Sequence, residues 1–319
     1  MKTLEDLRDF YNTTLLAELK VLERQRRIVV RKFQYVGIVI LCIAAVVVLL
    51  LWHSLAKQPM LIIIPIIICA MIGGVICRFI SRGYVTEFKA VVIRRIIHFI
   101  NEDLNYSQQD YIPKSTFILS KIFSTKPNRY KGDDLVSGRI GATRIKFSEV
   151  HAEHESGSGK NRRRYTIFKG LFFIGDFNKD FAGQTVVLPD TAEKLFGRIG
   201  QKLQSLNIFR GNLIKLEDPE FERAFAVYGD DQIEARYILS TSLMKRIVDF
   251  KKKTNRKIFL SFIGSMVFVA VSYTKNIFEP RIFRTLLDFA PIREYFEDLQ
   301  LALGIVDDLN LNTRIWSKR

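Results

Sequence analysis

The chain has 319 residues, 48% of them hydrophobic, and a formal net charge of +16. That length suffices for one large or two small domains with a buried core. All three cysteines lie in one apolar stretch that ends at Cys77, so the remaining residues can form no internal disulfide and supply no thiolate nucleophile or metal ligand. The basic excess suggests an anionic neighbour, either a negatively charged lipid surface or nucleic acid, and it is also typical of a protein on the cytoplasmic side of a membrane.

Residues 1–34 are predicted to form a cytosolic amphipathic helix. Thr3 is a candidate N-cap, with Asp6 three residues later, close to a capping box. No proline or glycine interrupts the segment. Its apolar stripe at helical spacing comprises Leu15, Leu19 and Leu22. The stripe predicts packing within the chain against the helix that follows the second apolar run, and an oligomer seam is the alternative.

Residues 35–80 are predicted to form a transmembrane hairpin. The first apolar run, 36–52, carries no charge, and the second, 60–80, carries only Arg78. About 20 apolar residues in a helix cross about 30 Å of hydrocarbon. Each Leu, Ile or Val near the bilayer centre contributes roughly −0.3 to −0.6 kcal/mol, so either run should insert.

The alternative to a membrane hairpin is a buried helical hairpin of a soluble protein. Such a protein would have to hide residues 62–68 on every side. The linker His53–Pro59 is too short to be a domain, so both long ends of the chain lie on the same side of the hairpin.

Many basic residues lie before the first apolar run and after the second, while the linker between the two runs holds only Lys57. Those before the first run and after the second are Arg24, Arg26, Arg27, Arg31, Lys32, Arg82, Lys89, Arg94 and Arg95. The positive-inside rule therefore predicts that both termini are cytoplasmic.

Residues 81–106 are predicted to continue as a juxtamembrane helix. One face of it carries Phe88, Val92, Ile96 and Phe99. His98 is interpreted as a packed histidine rather than a ligand.

Residues 107–319 are predicted to form a cytosolic α+β domain with antiparallel strands. Ile145 and Phe147 alternate with polar neighbours, the period of a half-buried strand. Strands and helices occur in clusters rather than in strict alternation, which favours α+β over a doubly wound parallel sheet.

The other predicted elements of this domain follow from runs between turn signals. Strands are expected at Tyr165–Phe177 and in the run QTVVLPD, and Lys257–Ser272 is expected to be a β-hairpin that turns at Gly264 and Ser265. Helices are expected at Thr191–Leu206, Ser242–Lys252 and Ile292–Asp308.

The acidic segment YGDDQIEARYILS contains the candidate metal ligands Asp230, Asp231 and Glu234. Its favoured interpretation is a helix start, with Asp230 or Asp231 as N-cap and Ile233 and Tyr237 facing inward. The alternatives are a cation site and a two-stranded turn like the GDD hairpin of nucleic-acid polymerases. Elsewhere, Asp218 followed by Pro219 is also predicted to open a helix.

A histidine-containing run and a basic run flank the loop between two predicted strands. His151 and His154 lie among glutamates, but a tetrahedral zinc site would need a further ligand and no cysteine is available there. Arg162, Arg163 and Arg164 are the candidate lipid-contacting residues, and a solvated loop is the alternative. Nucleic acid is not expected as a partner, because no aromatic residues interleave with these arginines. No residue is assigned a catalytic or cofactor-binding role, and no cofactor is expected.

Several long runs resemble the bacterial membrane-protein family named domain of unknown function 3137. They are GDDLVSGRIGATRIKFSEVHAE, FKGLFFIGDFNKDFAGQTVVLPD, KLEDPEFERAFAVYGDDQIEARYILS and LNLNTRIW. The resemblance covers nearly the whole chain after about residue 100, and the preceding helix and paired spans are also similar. It implies a bacterial inner-membrane setting and brings no catalytic or ligand-binding residue.

These patterns lead to the hypothesis of a membrane-anchored cytosolic interaction or scaffold module. Its expected partners are the bilayer, anionic lipid head groups, an unidentified protein and, as an option, further copies of the chain. One alternative is a membrane-tethered enzyme centred on the acidic segment, and in one version this enzyme depends on a metal ion. The second alternative is a small oligomeric channel or transporter. The spans lack the buried charges that usually mark a permeation path.

Overall fold

The computed structural model describes residues 2–55, 63–190 and 211–312. The predicted helix Thr191–Leu206, part of the hairpin linker and the start of the second apolar run lie outside the described residues. Contacts divide the chain into two compact units: Met1–Ile96 with Phe278–Tyr295, and Ile97–Ile277 with Phe296–Arg319. The predicted α+β class is confirmed, because long amino-terminal helices precede an antiparallel sheet with its own helices.

The first unit begins as one continuous helical segment. α1 (Leu4–Phe10), a π-helical turn at Tyr11–Leu15 and α2 (Leu16–Leu55) follow one another without a break. The predicted capping box is confirmed: the Thr3 hydroxyl accepts from the Asp6 N–H at 3.2 Å, and the Asp6 carboxylate accepts from the Thr3 N–H at 2.7 Å. A single helix therefore contains both the amphipathic segment and the first apolar run.

The second long helix returns alongside the first. α3 (Ile63–Phe88) continues through a π-helical turn at Lys89–Ile93 into α4 (Arg94–Ile100). At Gly73 the two helices approach closely, since a Cβ there would lie 2.4 Å from the Ile40 Cδ1 atom. Small residues permit this close packing between apolar helices.

The predicted apolar stripes of both helices are buried. Their buried members include Leu15, Leu19, Leu22, Phe88, Val92 and Ile96. His98 is exposed, so its interpretation as a packed histidine is wrong. Ile96 and Ile97 occupy the inward face of α4, and the next residue points away from it.

The side chains of the apolar runs show the opposite pattern. Leu50 is 78% exposed, and large apolar side chains are also exposed along both helices. Those with high exposure include Ile38, Leu41, Ile43, Val46, Leu49, Ile64, Ile67, Met71, Val75 and Phe79. By length and composition, Leu4–Leu50 and Ile64–Ile100 are helices long and apolar enough to cross a membrane.

The second unit is built on a sheet with seven strands among the described residues. They are β1 (Asn105–Ser107), β2 (Arg129–Ile140), β3 (Thr143–Ser156), β4 (Arg163–Pro189), β5 (Asn212–Ile214), β6 (Phe225–Gly229) and β7 (Ile258–Ser272). Their order is β1-β2-β3-β4-β6-β5, with β7 also paired to β4, and all described pairings are antiparallel. The predicted burial of Ile145 and Phe147 on β3 is confirmed.

β4 is the organising strand of the sheet. The two strands predicted at Tyr165–Phe177 and in QTVVLPD are parts of this one strand, which pairs with β3 early, with β6 late and with β7 over Gly170–Val187. The predicted hairpin at Gly264 is wrong, because β7 runs through that point as a single strand. Gly264 has φ +59° and lies opposite Phe181, where the β4–β7 register shifts. Its left-handed conformation therefore belongs to an irregularity in the ladder rather than to a chain reversal.

Short helices complete this unit. They are α5 (Lys114–Leu119), α6 (Pro219–Ala224), α7 (Gln232–Ile238), α8 (Thr241–Thr254) and the carboxyl-terminal part of α9 (Phe289–Asp308). The predicted helices at Ser242–Lys252 and Ile292–Asp308 are confirmed. Phe117 of α5 packs on β4, with its ring centroid 5.2 Å from that of Phe172, inside a buried apolar cluster on the sheet.

Candidate functional site

The acidic segment lies where a strand ends and a helix begins. β6 ends at Gly229 and α7 begins at Gln232. The Asp231 Oδ1 atom accepts from the backbone N–H groups of Ile233 at 2.7 Å and Glu234 at 3.2 Å. The capping interpretation is therefore confirmed for Asp231, and the two-stranded polymerase-like turn is wrong because a helix follows the strand.

The other two carboxylates of the segment bind an irregular part of β4. Glu234 accepts from the N–H groups of Ala182 and Gly183, each at 2.9 Å and each on a different oxygen. The Asp230 Oδ1 atom accepts from the Gln184 side-chain amide at 3.1 Å. Asp230 and Glu234 thus hold the irregular part of β4 next to the start of α7, and Asp231 caps that helix.

This arrangement does not favour a cation site. No three His, Cys, Asp or Glu side chains in the described ranges are placed to hold a metal ion. Arg236, one turn into α7, donates to the Lys215 carbonyl at 3.3 Å. A metal at Asp230, Asp231 or Glu234 stays a prediction, and it would have to displace hydrogen bonds that cap α7 or join the α7 region to β4.

The predicted inward face of α7 is wrong. Ile233 is 81% exposed and Tyr237 is also exposed, whereas Ala235 and Ile238 are buried. The spacing of four residues is correct for one helix face, but Ala235 and Ile238 define the side of α7 that packs.

Three arginines meet around Glu155 at the β3–β4 hairpin. The Glu155 carboxylate pairs with Arg129 at 3.3 Å, with Arg164 at 3.1 Å and with Arg162. Arg163 is exposed. Two of the three candidate lipid-contacting arginines are therefore partly neutralised by one glutamate.

Within the part of the chain that the structure describes, neither His151 nor His154 belongs to a group of three side chains that could hold a metal ion. The His154 Nδ1 atom lies 3.1 Å from the Lys126 carbonyl, and His151 lies 3.7 Å from Glu153. Burial lowers the pKa of the His151 imidazole, which favours its neutral form. Glu149 is occupied by the Ile277 N–H at 2.6 Å.

A charged cluster that the sequence patterns did not indicate lies in the first unit. It joins the long helices to the returning loop, residues 278–288, which comes before α9. Its four members are Glu23, Arg26, Lys89 and Glu279. Glu23 is 3% exposed and Lys89 is 2% exposed, so these charges are removed from water.

Glu23 and Arg26 form one half of the charged cluster. The Arg26 guanidinium donates to both Glu23 oxygens, at 2.8 and 2.7 Å, and Arg27 adds a contact at 3.2 Å. The pair also binds the returning loop: the Leu286 N–H donates to Glu23 at 3.1 Å, and Arg26 donates to the Ile282 carbonyl at 2.8 Å. Charge-assisted and bidentate bonds of this kind are the strong ones in proteins.

Lys89 and Glu279 form the other half. The Lys89 Nζ atom lies 2.9 Å from the Glu279 carboxylate, and the Tyr295 hydroxyl donates to the Glu279 carbonyl at 2.8 Å. The Tyr295 ring packs edge-on against Phe88 at 5.5 Å. Both long helices thus contribute a buried charge that binds the returning loop.

Sequence reasoning could not find this cluster from local patterns. Glu23 with Arg26 and Arg27 has the spacing of an ordinary surface ion pair on a helix. Its burial depends on Leu286, which is 263 residues further along the chain. The one available signal was the position of Glu23 beside Leu19 and Leu22 on the apolar stripe.

The carboxyl-terminal part of the chain has a family match. Residues 166–311 match the model described as "Protein of unknown function (DUF3137)". These residues belong to that family. The resemblance predicted from the sequence runs is thereby confirmed over residues 166–311, and its extension back to about residue 100 stays a prediction. The DUF3137 match contains the acidic segment and the returning loop.

Two further comparisons add no function. No curated protein sequence matches the chain. A crystal structure of the mycobacterial trehalose monomycolate transport factor A, TtfA, is similar over 69% of this chain and 96% of its own, with 10% identity and a TM-score of 0.33. A TM-score below 0.5 does not establish a common fold.

Replacement of Asp231 separates a capping role from a chemical one. Asp231→Ala removes the N-cap of α7 and should lower the free energy of unfolding by about 0.5–2 kcal/mol. Asp231→Asn should be nearly neutral, because Asn caps helices as well as Asp does. Chemical unfolding of the full chain in detergent micelles, followed by circular dichroism, measures both. Equal stability of the alanine variant and the unmodified chain would contradict the capping role.

Glu23 should make the first unit sensitive to acid. The hydrogen bonds from Arg26, aided by the Leu286 N–H and Arg27, lower the pKa of the Glu23 carboxyl from 4.5 to about 2 although burial raises it. A lowered pKa stabilises the folded state above pH 4.5, and this stabilisation is lost as the pH falls towards 2. Glu23→Gln should therefore cost about 3 kcal/mol at neutral pH.

The control is Glu18→Gln, which breaks a more exposed pair with Arg95 at 2.7 Å. That change should cost less than about 1 kcal/mol. Unfolding of both variants and the unmodified chain across the acid range checks the prediction. A cost of Glu23→Gln that does not shrink towards pH 2 would show that the carboxylate charge is not responsible.

Proposed function

We propose that this protein is a membrane-anchored interaction or scaffold module of the bacterial inner membrane. The family match and the two apolar helices support an unspecified membrane-associated role. The observation that carries the proposal is the exposure of large apolar side chains along residues 36–50 and 64–79. Soluble proteins rarely expose a contiguous apolar surface of that extent, whereas lipid covers it at no cost.

The helices themselves suit the bilayer. Their backbone groups are satisfied within each helix, as a spanning segment requires. Apart from Arg78 near the end of the second run, the charges lie outside the runs, with exposed Arg31 and Lys32 before the first and exposed Arg82 after the second. By the positive-inside rule, both ends of the hairpin then face the cytoplasm.

The scaffold part of the proposal follows from what the polar groups do. The carboxylates of the acidic segment bind backbone amides and a glutamine, and Glu155 binds arginines. These contacts support an architectural role for the charged residues. The enzyme and channel alternatives stay hypotheses, and no contact among residues 2–55, 63–190 and 211–312 specifically favours either of them.

Single-cysteine labelling tests the proposed topology. In a chain with Cys42, Cys69 and Cys77 replaced by alanine, Lys57→Cys should react with a membrane-impermeant maleimide in cells with a permeabilised outer membrane. Arg319→Cys should react only after lysis of the inner membrane. Labelling of Arg319→Cys in intact cells, or release of the full chain from membranes without detergent, would contradict the proposal.

Recovery of a partner tests the scaffold role. The full chain, extracted with its native lipid, should copurify with a defined second protein at a constant ratio, and Asp231→Asn should leave that ratio unchanged because the cap is kept. The enzyme alternative would instead be established if the unmodified chain turned over a substrate and Asp231→Asn abolished this turnover.

A further inference from the structure

One exposed aromatic side chain in the first unit stands at the tip of a tight turn. Arg281–Arg284 form the turn, closed by a hydrogen bond from the Arg284 N–H to the Arg281 carbonyl at 3.1 Å. Phe283, at its third position, is 79% exposed. A single exposed apolar residue needs no explanation by itself, so the surroundings of this one decide its meaning.

The backbone on both sides of Phe283 is fixed to α2. Arg26 donates to the Ile282 carbonyl at 2.8 Å, immediately before it. Glu23 accepts from the Leu286 N–H at 3.1 Å, three residues after it. Arg281 pairs with Glu294 as well. The turn is therefore held in place by buried charges, and Phe283 is presented from a rigid support rather than from a loose loop.

The turn lies beside α2, close to the residue at which the first apolar run begins. The Phe283 ring lies 6.0 Å from the ring of Phe33. Phe33 precedes Val36, the first residue of the run, by three positions, or about 4.5 Å along a helix. Arg31, Lys32 and Arg284 are exposed in the same two segments. Apolar rings with flanking basic groups are the composition of a surface that lies in a membrane interface.

We infer that the turn Arg281–Arg284 is a second contact of this protein with the bilayer. The Phe283 side chain enters the boundary between head groups and acyl chains beside Phe33, and Arg284, with Arg31 and Lys32, faces anionic lipid phosphates. The inference rests on the proposed membrane insertion of the helices. It adds a lipid-contacting site about 250 residues away in the sequence from the first span, inside the DUF3137 match.

Tryptophan quenching tests the contact on the full chain. Trp52 and Trp316 are replaced by Phe, and one tryptophan is introduced by Phe283→Trp, Ile43→Trp or Val21→Trp, all at exposed positions. Each variant is reconstituted in phosphatidylethanolamine–phosphatidylglycerol vesicles that contain lipids brominated near the head group or near the chain end. Ile43 reports on the middle of the first span. Val21 is the control outside the bilayer, because it lies about 18 Å along the helix from Phe33, in the direction away from the span.

The inference predicts that Phe283→Trp loses fluorescence to brominated lipid, more to the shallow label than to the deep one. Ile43→Trp should show the reverse order, and Val21→Trp should lose none. If Ile43→Trp is quenched and Phe283→Trp is not, the inference is overturned and the membrane proposal stays intact. A protein partner that covers the turn would give this result. Absence of quenching at Ile43 overturns both.

Discussion

A carboxylate buried between helices stays ionised only where donors surround it, and Glu23 meets this condition with groups from two distant parts of the chain. Arg26 supplies a bidentate partner from the next turn of α2, and the Leu286 N–H supplies a donor from the returning loop. If Arg26 were absent, the Glu23 charge would be buried without its main partner, which costs several kcal/mol. If the loop were absent, Glu23 would keep Arg26 but lose the Leu286 donor. The long helix and the returning loop are therefore stable together rather than separately.

The same contacts explain why the returning loop has a defined place in the first unit. Arg26 and Glu23 bind it on both sides of Phe283, and Lys89 binds it at Glu279. Loops usually run free over a surface, but this one is bound by Glu23 and Lys89, the two least exposed charges among the described residues of the unit. A segment fixed in this way presents Phe283 at a constant height along the helix, and this suits the proposed contact with the lipid interface.

Much of the helical architecture follows from the sequence because its causes are local. The capping box at Thr3, the N-caps at Asp218 and Asp231, and the stripes around Leu19 and Val92 depend on residues three or four positions apart. The errors arise where distant strands decide the outcome. Gly264 looks like a turn residue, and only the pairing of β7 with β4 makes it an irregularity in a strand. The side of α7 that is buried likewise depends on the sheet beneath it, which the order of apolar residues does not reveal.

The candidate sites differ in the same way. Asp230, Asp231 and Glu234 attract notice because three acids stand within five residues, yet each carboxylate is bound within a short distance of a helix start or a strand irregularity. Glu23 attracts none, since an acid followed by two arginines is common on helices. Its importance comes from burial, which arises only when a segment 263 residues away closes over it. Although the chain has a net charge of +16, the charged side chain that best explains its structure is therefore the buried carboxylate of Glu23. This carboxylate binds the loop that carries Phe283.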